Sequence, residues 1–245
     1  MKSYFGNVER IIRWPVKSLR GEELREGRFD ERGLAGDRAY SLVDERENHA
    51  GRVLTVRQRP EMLHWSSAYG DGGTPTLTAP DGTAWEWDDP ALADALAGSL
   101  GTPLSLRAAD GQQDRGPTVL VTVAASLAAL GEELGAPVDL LRFRPNLHLD
   151  LDAPAFDEED WEPGTTITVG EAELAVTGDR TGPCIRCAVP SWDPRGQERW
   201  PELQKWLIGE HENKFGVIMR VTRPGTVRHG DRATVAWNPD LSRRS

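Results

Sequence analysis

Cysteine is nearly absent from this chain: its 245 residues hold only Cys184 and Cys187. Two thiols this close together cannot staple a fold. They also fall short of the four that a ferredoxin-type centre needs, so no iron-sulfur cluster is expected in this chain. Electrons for any redox chemistry must then arrive from a separate protein. Long apolar runs are missing as well. No stretch approaches the roughly 18 residues of a membrane helix, and the N-terminus lacks the apolar core of a signal peptide, so the expectations are no membrane association and a cytoplasmic location. Positive charge does not dominate either. The 29 Lys and Arg face 39 Asp and Glu, a net charge of -10, which argues against a nucleic-acid partner because phosphate-backbone affinity comes from clustered cations. Several common catalytic signatures are absent, among them the phosphate-binding P-loop, the G-x-G-x-x-G turn, H-E-x-x-H and the G-x-S-x-G elbow.

What the sequence does contain is the rhythm of a folded β protein. Apolar residues make up 38% of it and charged residues 28%, with nine Trp, a profile far from that of a disordered chain. Short runs of Val, Thr, Leu and Ile lie between Gly, Pro and Asp. Strands are predicted at residues 6–14, 39–44, 76–79, 104–108, 119–122 and 147–151. Residues 166–176 alternate around Gly170-Glu171 and predict a hairpin. Residues 216–221 and 233–237 read as another pair. Three helices interrupt this pattern: one opened by Asp89-Pro90 with Leu92, Leu96 and Leu100 inward, one over 124–134 stopped by Gly135, and one opened by Pro201. A polar stretch over 108–117 divides the chain into modules of residues 1–110 and 111–238, followed by a frayed tail at 239–245. The expected class is mostly β (α+β): two β-barrel-like modules with a few short covering helices and a cleft between them.

Two constellations could carry chemistry. The first is Gly182-Pro183-Cys184-Ile185-Arg186-Cys187. It is a poor zinc half-site, because none of the five histidines supplies partners at suitable spacing. It is also a poor thioredoxin-like pair, because Pro190 and Asp193-Pro194 follow in a β-rich setting. One thiolate as a soft metal ligand, helped by Arg186, stands beside inert packed cysteines as the open alternatives. The second is a scatter of cations near small residues: Lys17-Ser18, Arg20, Arg38, Arg57, and Arg142 to Asn146. Such groups suit an oxyanion or phosphate, while surface pairing with acids is the plain alternative for each. His148 alternates with Leu147 and Leu149 and reads as a strand residue.

These pieces occur in a telling order: Trp14-Pro-Val-Lys-Ser-Leu-Arg-Gly21, Gly33-Leu-Ala-Gly-Asp-Arg38, Thr55-Val-Arg-Gln-Arg-Pro60, Arg142-Phe-Arg-Pro-Asn146, Phe156-Asp-Glu-Glu-Asp-Trp161, Arg186-Cys187 and Trp192-Asp-Pro194. The series resembles the MOSC family together with its N-terminal β-barrel module, a group that includes the mitochondrial amidoxime-reducing component and its bacterial relatives. The resemblance implies a molybdenum cofactor, molybdopterin, bound in the cleft with Cys187 as metal ligand and catalytic centre. It implies cofactor contacts from Lys17, Ser18, Arg38, Arg144 and Asn146, with Arg186 beside the cysteine, and gives Cys184 no ligand role. The activity implied is reduction of small N-hydroxylated substrates, with a ferredoxin- or cytochrome-type electron donor as partner. A non-catalytic carrier of cofactor or sulfur is the alternative. The chain departs from the family pattern at Pro190, where a polar residue is usual, and at Val123, in place of a small hydroxyl residue.

Overall fold

The computed structural model describes residues 2–70 and 73–237; the expected tail at 239–245 lies outside them. Seven strands close a barrel. In chain order they are β1 (Lys2–Arg13), β2 (Val119–Val123), β3 (Leu147–Leu151), β4 (Thr166–Val169), β5 (Ala172–Ala175), β6 (Lys214–Arg223) and β7 (Arg232–Trp237). Around the wall they run β2-β3-β1-β7-β4-β5-β6, and β6 pairs back onto β2. Closure leaves the ring without an open edge. The β2–β3 pair is parallel, which requires a crossover rather than a tight turn. Helix α2 (Ala124–Leu134) lies within that crossover and covers the barrel end, stopped by Gly135 in the left-handed conformation at φ +67°.

Period-two patterning explains why these segments form staves. Val119, Val121 and Val123 of β2, Leu147, Leu149 and Leu151 of β3, Ile167 and Val169 of β4, and Val235 and Trp237 of β7 all enter one core. Ile167 is fully buried. Removing one methylene there, Ile167→Val, should cost about 1 kcal/mol, read as a lower denaturant midpoint with an unchanged slope.

The β4–β5 hairpin forms as expected, with Gly170 at φ +51° in its turn. The expected pairing of residues 216–221 with 233–237 does not form. Strands β6 and β7 are instead separated by that same hairpin, since β6 pairs with β5 and β7 with β4. Between β6 and β7 the chain makes a further strand, Gly225–Arg228, which joins Glu26–Asp30 and Gly33–Leu34 in a small sheet.

A second core gathers buried residues from Val16 to Leu104, apart from Phe29 and Leu34, which join the barrel core. Tyr40–Asp44 is the centre of a three-stranded sheet, and Ser66–Tyr69, Pro75–Thr78 and Ala84–Glu86 make another. Helix α1 (Leu92–Leu100) buries Leu92, Leu96 and Leu100 against Leu42, Leu77 and Trp65. Asp89 accepts from the Ala91 N–H at 2.8 Å just ahead of the helix, so the predicted cap acts one turn earlier than the first regular helical residue. Helix α3 (Pro201–Glu210) begins at its proline and buries Leu203 and Leu207, while Trp206 donates to Glu133 at 2.8 Å. The architecture is mostly β, with three α-helices as covers among the described residues.

Candidate functional site

The segment after β1, the turn at Asp37-Arg38, the approach to β3 and the exit of the strand Gly182–Ile185 meet at one cavity of about 160 Å³. Its wall contains the seven residues that the family resemblance marks, Lys17, Ser18, Arg38, Arg144, Asn146, Arg186 and Cys187, together with Arg57, whereas Arg20 and Arg142 line a neighbouring cavity. The backbone is strained where it meets this space. Ser18, Arg38 and Arg144 adopt φ of +74°, +47° and +56°, a region that costs side-chain-bearing residues roughly 1 kcal/mol or more each. Such strain persists only where the surroundings hold it, and it collects at ligand sites.

Asn146 fixes the junction. Its side-chain oxygen accepts from Arg38 and from the Leu120 N–H, both at 3.2 Å, and its amide donates to the Ile12 carbonyl at 3.2 Å. Arg38 also pairs with buried Asp37 and donates to the Arg144 carbonyl at 3.1 Å. Asp37 accepts from the Trp14 N–H at 2.9 Å, and the Trp14 indole donates to the Pro145 carbonyl at 2.8 Å. The two halves of the chain are thus tied together at the cavity wall by directed bonds, which fixes where the cations point.

Arg144 lies over the Trp14 ring, 4.2 Å from its centroid, and donates to the Leu19 carbonyl at 2.8 Å. Burial, followed by the neighbouring Arg38 charge, pushes its pKa down to about 9. A guanidinium resists losing its proton, so the same penalty favours any anion that settles against it. Among the described residues no carboxylate forms an ion pair with Arg144 or Arg186.

Cys187 is half-buried and Cys184 buried. Arg186 is aimed at Cys184 rather than Cys187: it donates to that sulfur at 3.1 Å and to the Phe143 carbonyl at 2.7 Å, while its Nε is buried without a partner. Arg57 shares the cavity wall with Cys187, and its pKa is raised, first by that sulfur and further by the Asp114 charge. Arg57, already named from the sequence among the cations suited to an oxyanion, stands in the Thr55-to-Pro60 motif. Lys17 donates to the Gln112 carbonyl at 2.7 Å and pairs with Asp114 at 2.7 Å; Asp114 also meets Arg57 at 3.5 Å. The Asp114 carboxylate, on the loop between Leu104–Ala108 and β2, therefore takes the place where these two cations would meet an anionic group. Sequence reading gave no sign of this, because the loop carries no periodicity.

No group of three or more His, Cys, Asp or Glu among the described residues could hold a metal alone. A metal here would need most of its donors from a cofactor, with one thiolate from the protein. His148 is buried on β3 with Nδ1 2.9 Å from the Thr122 hydroxyl, as a strand histidine should be.

Fold and site together define a β-barrel protein with a cation-lined cleft around a single accessible cysteine. The chain belongs to the MOSC family: the MOSC N-terminal beta barrel domain matches residues 5–115 and the MOSC domain matches residues 111–234. No curated protein matches it. Among solved structures, the YUAD protein from Bacillus subtilis is similar at 15% identity, covering 97% of this chain and 98% of that one with a TM-score of 0.53, which shows a shared fold. YiiM from Geobacillus stearothermophilus is similar at 20% identity over 48% of this chain and 53% of that one, with a TM-score of 0.36. Among the described residues no helix is long and apolar enough to cross a membrane.

Proposed function

We propose that this protein binds the molybdenum cofactor, molybdopterin, between its two modules, residues 1–110 and 111–238, and reduces small N-hydroxylated compounds of the amidoxime or N-hydroxy-base type. One observation carries the reading: Cys187 opens into a cavity whose cations have no full complement of acids and whose backbone is strained at three contact points. The residues fit the group. The Cys187 sulfur is a soft donor suited to molybdenum. Lys17, Ser18, Arg38 and Arg144 would meet the pterin phosphate and ring, and Asn146 would hold Arg38 in place. Two buried polar atoms in the same wall, Arg186 Nε and Gln113 Oε1, lack protein partners, and orphaned polar groups of this kind call for a ligand or ordered water.

When bound, the cofactor supplies two-electron oxygen-atom transfer, chemistry that no side chain can perform. The protein's part is to bind and orient. Arg57 and Arg144 would offset negative charge near the sulfur, and the Asn146–Arg38 pair holds the Arg144 carbonyl in place. A separate ferredoxin- or cytochrome-type protein is the proposed electron donor.

Protein made in a molybdenum-replete, cofactor-competent host should carry close to one molybdenum per chain and reduce an aryl amidoxime with a chemical reductant. Metal-free protein from that host would overturn the reading. Cofactor without turnover on any N-hydroxy compound would leave a carrier role in place of the enzyme. The Asp114 carboxylate competes for Lys17 and Arg57, yet it is 64% exposed, so the contacts are worth at most about 1 kcal/mol. Asp114→Asn should therefore tighten cofactor retention up to about fivefold, measured as slower metal loss on dialysis.

A further inference from the structure

A second, larger cavity of about 660 Å³ lies against the first, with Arg144 and Val189 in both walls. It is within the size range of small-molecule sites. Its wall carries Arg20, Arg142 and Arg195 in addition to Arg144. Among the described residues none of these four forms an ion pair, whereas the fifth arginine of the wall, Arg10, is paired with Glu23 at 2.8 Å.

Among the described residues the carboxylates of the wall form no ion pair with these four arginines, although the charges of Asp193 and Asp139 are felt at Arg142. Glu22 is paired with Arg13 at 2.8 Å and accepts from the Tyr69 N–H, and Glu23 is held by Arg10. Asp139 accepts from the Leu141 N–H at 2.8 Å, and Asp193 accepts from the N–H groups of Arg195 and Gln197 at 3.1 and 2.9 Å. Arg20 donates once, to the His64 carbonyl at 3.1 Å, and its Nε is buried with no partner. Burial, together with the nearby Arg195 charge, lowers the Arg20 pKa. Arg142 donates to the carbonyls of Pro190 and Ser191 and lies 5.6 Å from the centroid of the Trp200 ring. Grouped guanidinium groups with unused donors, in a protein of net charge -10, are an arrangement that an anion completes. The planar fork of arginine matches phosphate oxygens two at a time.

We infer that this second cavity is a binding site for a phosphorylated small molecule, a phosphomonoester or diphosphate, held by Arg20, Arg142 and Arg195 and sharing Arg144 with the cysteine cavity. The site stands whether or not the cysteine cavity holds molybdenum. Titration of the purified protein with inorganic pyrophosphate, followed by calorimetry and by tryptophan fluorescence, tests it. Saturable binding is expected, weakened about tenfold by Arg20→Gln and also by Arg195→Gln. The latter side chain is exposed, so its loss leaves the fold intact. Lys17→Gln and Cys187→Ser should leave the Arg20-dependent binding unchanged, and Lys17→Gln should remove at most a second, separate event in the cysteine cavity. Three outcomes would overturn the inference: no saturable binding, equal binding by both arginine variants and the parent, or loss of the Arg20-dependent binding in Lys17→Gln, which would place the anion in the cysteine cavity.

Discussion

Replacing one sulfur by oxygen, Cys187→Ser, is expected to reduce the molybdenum content from near one per chain to background, at least a tenfold loss, while the thermal midpoint of the metal-free protein stays within about 2 °C of the parent. The metal half follows from donor chemistry, because a serine hydroxyl is a harder and far less acidic ligand than a thiolate. The stability half follows from position. Cys187 is half-buried, lies outside the barrel strands and belongs to none of the buried clusters, and substitutions at such places usually change stability by less than about 0.5 kcal/mol. Cys184→Ser separates the two thiols. Its sulfur is held by Arg186, so that variant should keep its metal and lose some stability. Full occupancy in Cys187→Ser, measured by elemental analysis against protein concentration, would remove this residue as the ligand.

The second large effect concerns pH. Glu158 is buried beneath the barrel end and accepts from the Ser126 hydroxyl at 2.7 Å. Burial, reinforced by Glu159 and Asp157 against the opposing pull of Ser126, pushes its pKa from 4.5 up to about 7. Between those values the folded chain holds a proton that the unfolded chain has released, so its contribution is complete below pH 4.5 and is lost as the pH rises to 7. His148 does the reverse. Burial, with Arg10 nearby, pushes its pKa from 6.5 down to about 4, so its contribution is complete above pH 6.5 and is lost as the pH falls toward 4. Each shift corresponds to about 3 kcal/mol, and the two nearly cancel over the shared window.

Single variants should expose the hidden slopes. Glu158→Gln should become steadily more stable from pH 4 to 6.5, and His148→Asn steadily less stable from pH 4.5 to 7, each by about 3 kcal/mol in denaturant titrations at fixed pH. PH profiles parallel to that of the parent in both variants would show that neither group titrates as its surroundings require.

The staves were readable because each has one buried face. Residues 147–151 form a stave with the expected limits, as residues 104–108 form a strand outside the barrel, each with apolar residues at every second position and Pro or Asp within two residues of either end. Helix α2 was readable for the same reason, its leucines recurring at helical spacing up to Gly135. Strand neighbours were not readable. Nothing local in β6 or β7 says that the β4–β5 hairpin will sit between them, because insertion is decided by the closure of the whole ring. The site divides in the same way. Lys17, Ser18, Arg38, Arg144, Asn146, Arg186 and Cys187 were identified through their motifs, and they line one cavity. The meeting of Arg57 and Cys187 in one wall, the turn of Arg186 toward Cys184 and the seat of Asp114 depend on how loops distant in sequence pack against one another.

The position of β1 has a consequence for biosynthesis. The first stave made is flanked by Leu147–Leu151 and by Arg232–Trp237, so on the ribosome its second neighbour exists only after every other stave has been made. Contacts so remote in sequence are slow to form. The wall around Cys187 takes Lys17 and Ser18 from just after β1 and Ile218 from β6, so it is complete only when the ring has closed.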